Sequence, residues 1–482
     1  MQAMAISQCV QSTQGRLRVG RATSRMLLNT VFLIGFEVFA VVLSVWLSFQ
    51  VRAIFLVDAT IPQLSTAIIP TYILLGWLSG LYPGWALGPV EDLRRVSRNI
   101  AATFLLMTGV LYFTDTGPLW ARVALLLSGL IAWVLIPMAR WLVRLILVKL
   151  GWYGVDVAVL GAGKTGEMVV RALRVAAGYG MNPVAIYDDA LNLRGSSLEG
   201  LPVVGPISGV LHASYAAVFV AMPGLPRARL LELLRGPLAN VEKVLIVPDF
   251  FGVESLWVEA RDLNGTLTLE ISRNLLRPLP QALKRLFDLL VILVAAPFWL
   301  PVFGFCALLI FLADRHSPIY WQERVGLRGH PIQVMKFRTM VVDAESRLQK
   351  YLETNPAAKL EWEMKFKLTH DPRITGVGGF LRRTSLDEIP QLINVLLGQM
   401  SLVGPRPLPT YHLQAMALEY QDIRARVLPG ISGLWQVSGR SETDVQGMAE
   451  LDDQYVRNWS VWLDIEVLVR TVGAVIAGRG AY

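Results

Sequence analysis

The sequence has 482 residues, 54% of them hydrophobic and only 17% charged, with a mean hydropathy of +0.47. That is too apolar for an ordinary soluble protein and fits membrane segments joined to soluble parts. Lysine and arginine outnumber aspartate and glutamate by 45 to 37, and the resulting +8 suits nucleic acid, an anionic bilayer or phosphorylated substrates without choosing among them. The two cysteines, Cys9 and Cys306, indicate neither a disulfide framework nor a thiolate metal site, so a reducing compartment is expected.

The first apolar run starts near Met26 behind Arg16, Arg18, Arg21 and Arg25, with no small-residue cleavage pattern beyond it. It is expected to stay in the membrane rather than be removed as a signal peptide. Four apolar segments, 27–51, 65–82, 100–113 and 119–142, come near the ~20 residues that a spanning helix needs. Residues 1–150 thus read as a membrane bundle of four helices. Basic residues cluster before the first segment, at Arg94, Arg95 and Arg98, and at Arg140, Arg144 and Lys149, whereas the alternate loops carry only Arg52 and Arg122. This positive-inside pattern puts both ends on the cytoplasmic side. Glu37 lies within the first span, where a charge costs about 3 kcal/mol on insertion scales, so it is expected to face other helices.

Between 151 and 275 the texture changes to short β-branched runs separated by helical stretches, which predicts an α/β, Rossmann-like domain. VDVAVLGAG, VAIYDD, AAVFVAM and KVLIVPD read as four successive parallel strands. The first leads into GAGKTG, whose Gly161, Gly163 and Gly166 match a dinucleotide fingerprint, and Asp188 and Asp189 end the second strand where a ribose-binding acid belongs. Four strands are fewer than the usual six, and no Tyr-x-x-x-Lys pair occurs, so a structural or ligand-sensing role is expected over redox chemistry with a bound dinucleotide.

Residues 276–313 form a linker and a fifth apolar run. Pro297 and Pro301 near its middle each remove a backbone donor and favour a sharp break. Basic residues flank both ends: Arg277, Lys284 and Arg285 before it, Arg315, Arg324 and Arg328 after it. A re-entrant hairpin that enters one leaflet and returns satisfies both, and a kinked ordinary span is the alternative.

From 314 to 482 charged residues gather in loop-like strings rich in Arg, Gly and Pro: WQERVG, MKFRTM, DPRITGVGGFLRRTSLDE, GPRP and GLWQVSGR. Arginine there supplies a planar fork for phosphate oxygens. Asp387 and Glu388 stand together ahead of Pro390. Ser385 and Glu388 spell a capping box, yet Pro390 fits a first helical turn only if the helix starts near Asp387. Both starts put the carboxylates at a helix N-terminus, which lowers their pKa and keeps them ionised as a nucleophile or Mg²⁺ ligands. Local sequence leaves capping and catalysis open.

KFRTM, DPRIT, TSLDEIPQL, MSLVGPRP, LPGISGLWQVSGR and the apolar run before them closely resemble the bacterial sugar transferase domain of monotopic phosphoglycosyl transferases. With the membrane bundle and α/β domain ahead of it, the chain is similar to the large form of that family, including undecaprenyl-phosphate galactose or glucose phosphotransferases. The resemblance implies a mainly α-helical catalytic domain and a multi-pass protein of the bacterial inner membrane with its catalytic and α/β domains in the cytoplasm. It implies a UDP-hexose donor, an undecaprenyl phosphate acceptor, a membrane-lipid setting, Mg²⁺ as cofactor and a homodimer, with no nucleic-acid partner. Asp387 would be the nucleophile and Glu388 its Mg²⁺-binding partner. Phosphate-binding residues would be Lys336, Arg382, Arg406 and Arg440, with Arg338 and Arg383 as further candidates. Pro297 and Pro301 match the family's membrane-helix break. Rival readings are the same reaction with another UDP-sugar, a membrane-anchored nucleotide-sugar dehydratase or epimerase using the GAGKTG domain, and a scaffold with a decayed transferase domain.

Overall fold

The computed structural model describes residues 2–55, 65–113, 119–212, 215–239, 241–248, 258–263, 266–271, 274–365, 368, 371–414, 416–438 and 445–476. The chain divides into two compact units, Met1–Phe251 and Gly252–Tyr482.

The first unit opens with four helices, α1 (Gln2–Phe55), α2 (Ser65–Leu78), α3 (Pro89–Phe113) and α4 (Leu119–Lys149). Residues 25–51, 89–113 and 123–149 are long and apolar enough to cross a membrane. The 65–82 segment is not: its helix has 14 residues and ends where Gly80 turns left-handed at φ +66°. At 1.5 Å per residue that is roughly 21 Å, short of a ~30 Å hydrocarbon core. The third helix is longer than its apolar run suggests because its polar start is helical too. Pro89 opens it, Glu91 pairs with Arg95 one turn on, and Asp92 turns inward. Glu37 is completely buried, bonded to Arg140 and to the Tyr82 hydroxyl, while Arg140 and Arg144 both hold Asp92.

An α/β region completes this unit. Strands β1 (Val155–Leu160), β2 (Met181–Tyr187), β3 (Ser197–Leu198), β4 (Leu201–Gly205), β5 (Ala217–Val220) and β6 (Val244–Ile246) form one sheet in the order β3-β4-β2-β1-β5-β6. The four strands expected from sequence are present and parallel. A hairpin of β3 and β4 extends the edge, with β4 parallel to β2. Its LPVVG strand alternates buried and exposed positions over only five residues, too short a pattern to read against its polar surroundings. Helices α5 (Lys164–Val175) and α6 (Arg227–Arg235) accompany the sheet. Two of the three glycines of GAGKTG have steric reasons: Gly161 has φ +100°, and a Cβ on Gly166 would lie 2.0 Å from the Gly161 carbonyl oxygen.

The second unit carries an antiparallel hairpin, β7 (Val258–Leu263) with β8 (Thr266–Ile271), then α7 (Pro278–Asp314). This 37-residue helix is the fourth long enough to cross a membrane. It stays helical through Pro297 and Pro301, so the expected break is not an interruption of the helix. Beyond it come a hairpin of β9 (Ile319–Val325) and β10 (Pro331–Phe337), helices α8 (Ala344–Thr354), α9 (Pro356–Lys365), α10 (Gly376–Arg383) and α11 (Gln391–Leu396), strand β11 (Ser401–Val403), α12 (Thr410–Gln414), α13 (Leu418–Ala425), β12 (Gly430–Ser432), α14 (Leu434–Ser438), α15 (Val445–Asn458) and α16 (Val461–Ile476).

Helix α7 is fastened to this unit at both ends. Near its start, Lys284 donates to Asp464 at 2.7 Å and Asp288 accepts from Ser401 at 2.6 Å, all four side chains buried. Near its end, Cys306 and Ile310 pack with Phe337, Leu381, Leu386 and Ile389, and Asp314 binds Arg338 at 2.6 Å. Between these anchors Leu286, Leu290, Leu293, Val294 and Phe298 remain exposed, an apolar face suited to lipid.

Candidate active site

Asp387 and Glu388 lie on one tight 3₁₀ turn, Leu386–Glu388, between α10 and α11. Ser385 enters this turn with φ +56°, a left-handed backbone that costs a non-glycine residue about 1–3 kcal/mol and persists only where its surroundings impose it. The capping box does not form. The Ser385 hydroxyl caps nothing, and Pro390 occupies the N-cap position of α11. The carboxylates therefore precede the α-helix, and Glu388 turns to cations instead: Lys336 Nζ and Arg406 Nη2 both donate to its Oε1 at 3.0 Å.

Each cation is delivered by a different element. Lys336 is near the end of β10, whose neighbour Met335 donates its N–H to Asn394 Oδ1 on α11 at 2.9 Å. Strand and dyad helix are thereby locked in register. Arg406 follows β11, and its carbonyl accepts from Arg424 Nη2 at 2.5 Å, while Arg424 Nη1 binds Asp452 on α15. Arg382 lies in the last turn of α10, which Thr375 starts by accepting the Gly378 N–H at 2.9 Å. A Cβ on Gly378 would lie 2.0 Å from the Thr339 carbonyl oxygen, so only glycine lets α10 sit this close. The contact brings Arg382 Nε within 2.8 Å of Thr339 Oγ1.

The two carboxylates differ electrostatically. Burial pushes the Asp387 carboxyl above its ordinary value and the Glu388 charge adds to this, with Lys336 and Arg382 offsetting only part. Burial acts on Glu388 too, but Arg406 and Lys336 outweigh it and hold that carboxyl at about 2. The expectation that both are lowered thus fails for Asp387, because no helix N-terminus or salt bridge compensates its burial. Adjacent acids with separated pKa values are the pattern of a site with two carboxylate roles.

The remaining candidates divide. Lys336, Arg382 and Arg406 gather at the dyad. Arg338 is engaged by Asp314, and Arg383 is exposed, donating only to the Gly379 carbonyl of its own helix. Arg440 lies outside the described residues. Gly161, Gly163, Gly166 and Asp188 belong to the other unit, where Asp188 accepts from the Ala162 and Ala190 N–H groups and so braces its own loop. Residues not singled out from sequence also contribute. Arg324 and Gln391 line one cleft with Lys336, Glu388 and Arg406, and Asp371 binds Arg373 through two parallel bonds. Gln391 had a readable signal, a polar residue opening a short helix whose other residues, Asn394 apart, are apolar. Arg424 and Asp452 had none, because they meet only in the folded chain.

Residues 279–478 match the bacterial sugar transferase family, and 78–248 match a family described as a CoA-binding domain. The chain is 35% identical over 366 residues to a UDP-galactose-lipid carrier transferase of Erwinia amylovora, covering 74% of this chain and 76% of that protein. It is 31% identical over 451 residues to undecaprenyl-phosphate galactose phosphotransferase of Salmonella typhimurium, covering 87% and 90%. It is 33% identical over 338 residues to the UDP-glucose:undecaprenyl-phosphate glucose-1-phosphate transferase of Escherichia coli K12, covering 68% of each. With an acidic dyad set among three cations in a unit that carries a long apolar helix, these matches mark the protein as a sugar transferase with membrane helices. The chain belongs to the bacterial sugar transferase family.

Proposed function

We propose that the protein transfers hexose 1-phosphate, from UDP-galactose or UDP-glucose, to undecaprenyl phosphate and so starts O-antigen or exopolysaccharide assembly. The observation that carries this is the dyad: one carboxylate with a raised pKa and no side-chain partner among the described residues, beside another clamped by two cations. The names of the relatives above agree with it.

In this reading the Asp387 carboxylate attacks the sugar-bearing phosphorus of the UDP-hexose. An oxygen–phosphorus bond forms to Asp387, the bond from that phosphorus to the bridging oxygen breaks, and UMP leaves with that oxygen. A phosphate oxygen of undecaprenyl phosphate then attacks the same phosphorus and displaces the Asp387 carboxylate, giving the diphosphate-linked sugar. Two displacements let a soluble donor and a lipid acceptor use one site in turn. Lys336, Arg382 and Arg406 neutralise the diphosphate and hold it in line.

Among the described residues no cluster of three or more His, Cys, Asp or Glu side chains is suited to a metal. Mg²⁺ nevertheless fits, because it commonly takes one or two carboxylates plus substrate phosphates. Glu388, whose Oε2 receives no hydrogen bond among the described residues, is the residue that would hold it, and the ion would offset charge on the departing UMP.

The site faces the cytoplasm, where UDP-sugars are made, at the surface of the inner membrane. Helix α7 serves as a re-entrant element bent at Pro297 and Pro301. Modification from outside intact cells of a cysteine inserted after Ala313 would overturn that topology. The activity is tested by UMP release from a panel of UDP-sugars with Mg²⁺ and undecaprenyl phosphate. Turnover of UDP-galactose or UDP-glucose above N-acetylated sugars supports the reading, and no release from any UDP-sugar sinks it.

A further inference from the structure

The cleft beside the dyad is lined by Arg324, Lys336, Glu388, Gln391 and Arg406, with apolar residues and a glycine between them. Cations suit it to a diphosphate, but phosphate-binding charges are indifferent to the sugar attached. Gln391 is the only uncharged polar side chain among these residues. It is 3% exposed, and its amide has no hydrogen-bond partner among the described residues. Neither of its amide atoms is fully sealed from solvent, so the amide opens onto the cleft and is available to a group that enters it. Its backbone is fixed: Gln391 follows Pro390 at the start of α11, and that helix is tied to β10 through Asn394, which also donates to the Gln333 carbonyl at 2.7 Å. The cleft's cations are donors only. The Gln391 carbonyl oxygen is therefore an acceptor suited to a neutral donor, and a nucleotide sugar offers hydroxyls.

We propose that Gln391 is a substrate-contacting residue that reads one hydroxyl of the nucleotide sugar, its carbonyl oxygen accepting from that O–H. The cations fix the diphosphate, and Gln391 adds the first stereochemically sensitive contact beside it. This rests on the transferase reading above. A site built to hydrogen-bond a hydroxyl discriminates strongly against a substrate that lacks it, because the buried amide is then left unpaired.

The test uses the full chain in native-like membrane or detergent with saturating undecaprenyl phosphate and Mg²⁺, and reads kcat/KM for UMP release. Substrates are the UDP-hexose turned over best and analogues each lacking one hydroxyl of the hexose or the ribose. Wild type should lose about 10- to 100-fold on one analogue. Gln391→Met, which keeps the side chain's length but neither hydrogen bond, should lose about as much on the parent substrate and nothing further on that analogue, while keeping its full deficit on the others. An equal deficit on every substrate, or none on any, overturns the assignment. Should Gln391→Met fail to fold, the wild-type series still decides, since a profile with no analogue reduced more than about 3-fold also overturns it. Failure of the transferase reading is separately visible, as wild type would then release no UMP at all.

Discussion

Two charge clusters, one in each unit, are built from nearly the same parts and differ in how far they are satisfied. In the first unit Glu37, Asp92, Arg140 and Arg144 are balanced two against two; Arg140 and Glu37 are 1% and 0% exposed, and each carboxylate meets two partners. Around the dyad, Lys336, Glu388 and Arg406 are 22%, 21% and 35% exposed, both cations crowd onto one oxygen, and Asp387 receives no side-chain hydrogen bond among the described residues. In a closed cluster each partner offsets the desolvation of the others, so removing any one of them is costly. An open one held by a left-handed Ser385 is arranged for something that arrives later.

The largest effect should come from breaking each cluster at its centre. Asp387→Asn should lower UMP release by at least about 10⁴-fold, as loss of a covalent nucleophile does. Thermal stability should be unchanged or slightly raised, since the charge removed was one that burial disfavours. Arg140→Met should do the reverse. Leaving Glu37 and Asp92 buried and unpartnered should cost about 3–5 kcal/mol, seen as loss of folded protein in a thermal melt. Turnover per folded molecule should persist. Wild-type-like turnover by Asp387→Asn, or an undiminished melt for Arg140→Met, would erase the distinction.

Acidity should separate the two dyad carboxylates. In the proposed mechanism Asp387 attacks as the carboxylate, so the rate should fall as pH drops through its value, which burial raises above the ordinary one. Glu388, held at about 2, stays ionised throughout that descent. Its folded pKa is depressed, so its contribution to stability is present above the unfolded value and is lost as pH falls toward 2. Asp387 has the opposite sign: its raised pKa stabilises the fold at acid pH and that contribution is lost as pH rises. Arg382→Gln removes a cation that lowers Asp387, so the acid limb should move to higher pH in a kcat profile. A limb that stays in place would show that Arg382 does not act on the nucleophile.

How much of this was readable varied with the range of the interaction. The parallel strands were legible because Val155–Leu160 and Ala217–Val220 are short apolar runs buried on both faces, a pattern local in sequence. The α3 start was missed because Glu91, Asp92, Arg94 and Arg95 look like a loop until Asp92 finds Arg140, 48 residues away. At the site, the dyad and its nearest cations were legible as motifs. The helix start was not, since Ser385 adopts a left-handed backbone that a serine in sequence does not signal, and Pro390 rather than Ser385 stands at the N-cap of α11. Arg338 and Arg383 look equivalent to Lys336 and Arg382 in sequence. Arg338 lies just past the end of β10 and is taken up by Asp314, whereas the turn of α10 carries Arg382 to Thr339 and leaves its neighbour Arg383 exposed.

That neighbour effect yields the smallest expected changes and the finest test of the comparison. Arg424 touches neither carboxylate, yet it is buried between the Arg406 carbonyl and Asp452, and burial pushes its guanidinium down to about 10. Arg424→Met should loosen Arg406 and lower kcat about 10-fold with little change in KM for the UDP-sugar, because a misplaced positioning group weakens the transition state more than the ground state. Arg424→Lys, which can still reach one acceptor, should recover part of that loss. Arg383→Ala, on the exposed side of the same arginine pair as Arg382, should change kcat less than about 2-fold. If Arg383 mattered as much as Arg424, general positive charge rather than geometry would be setting the rate. A drop confined to Arg424 would mean that the open cluster depends on a closed one behind it.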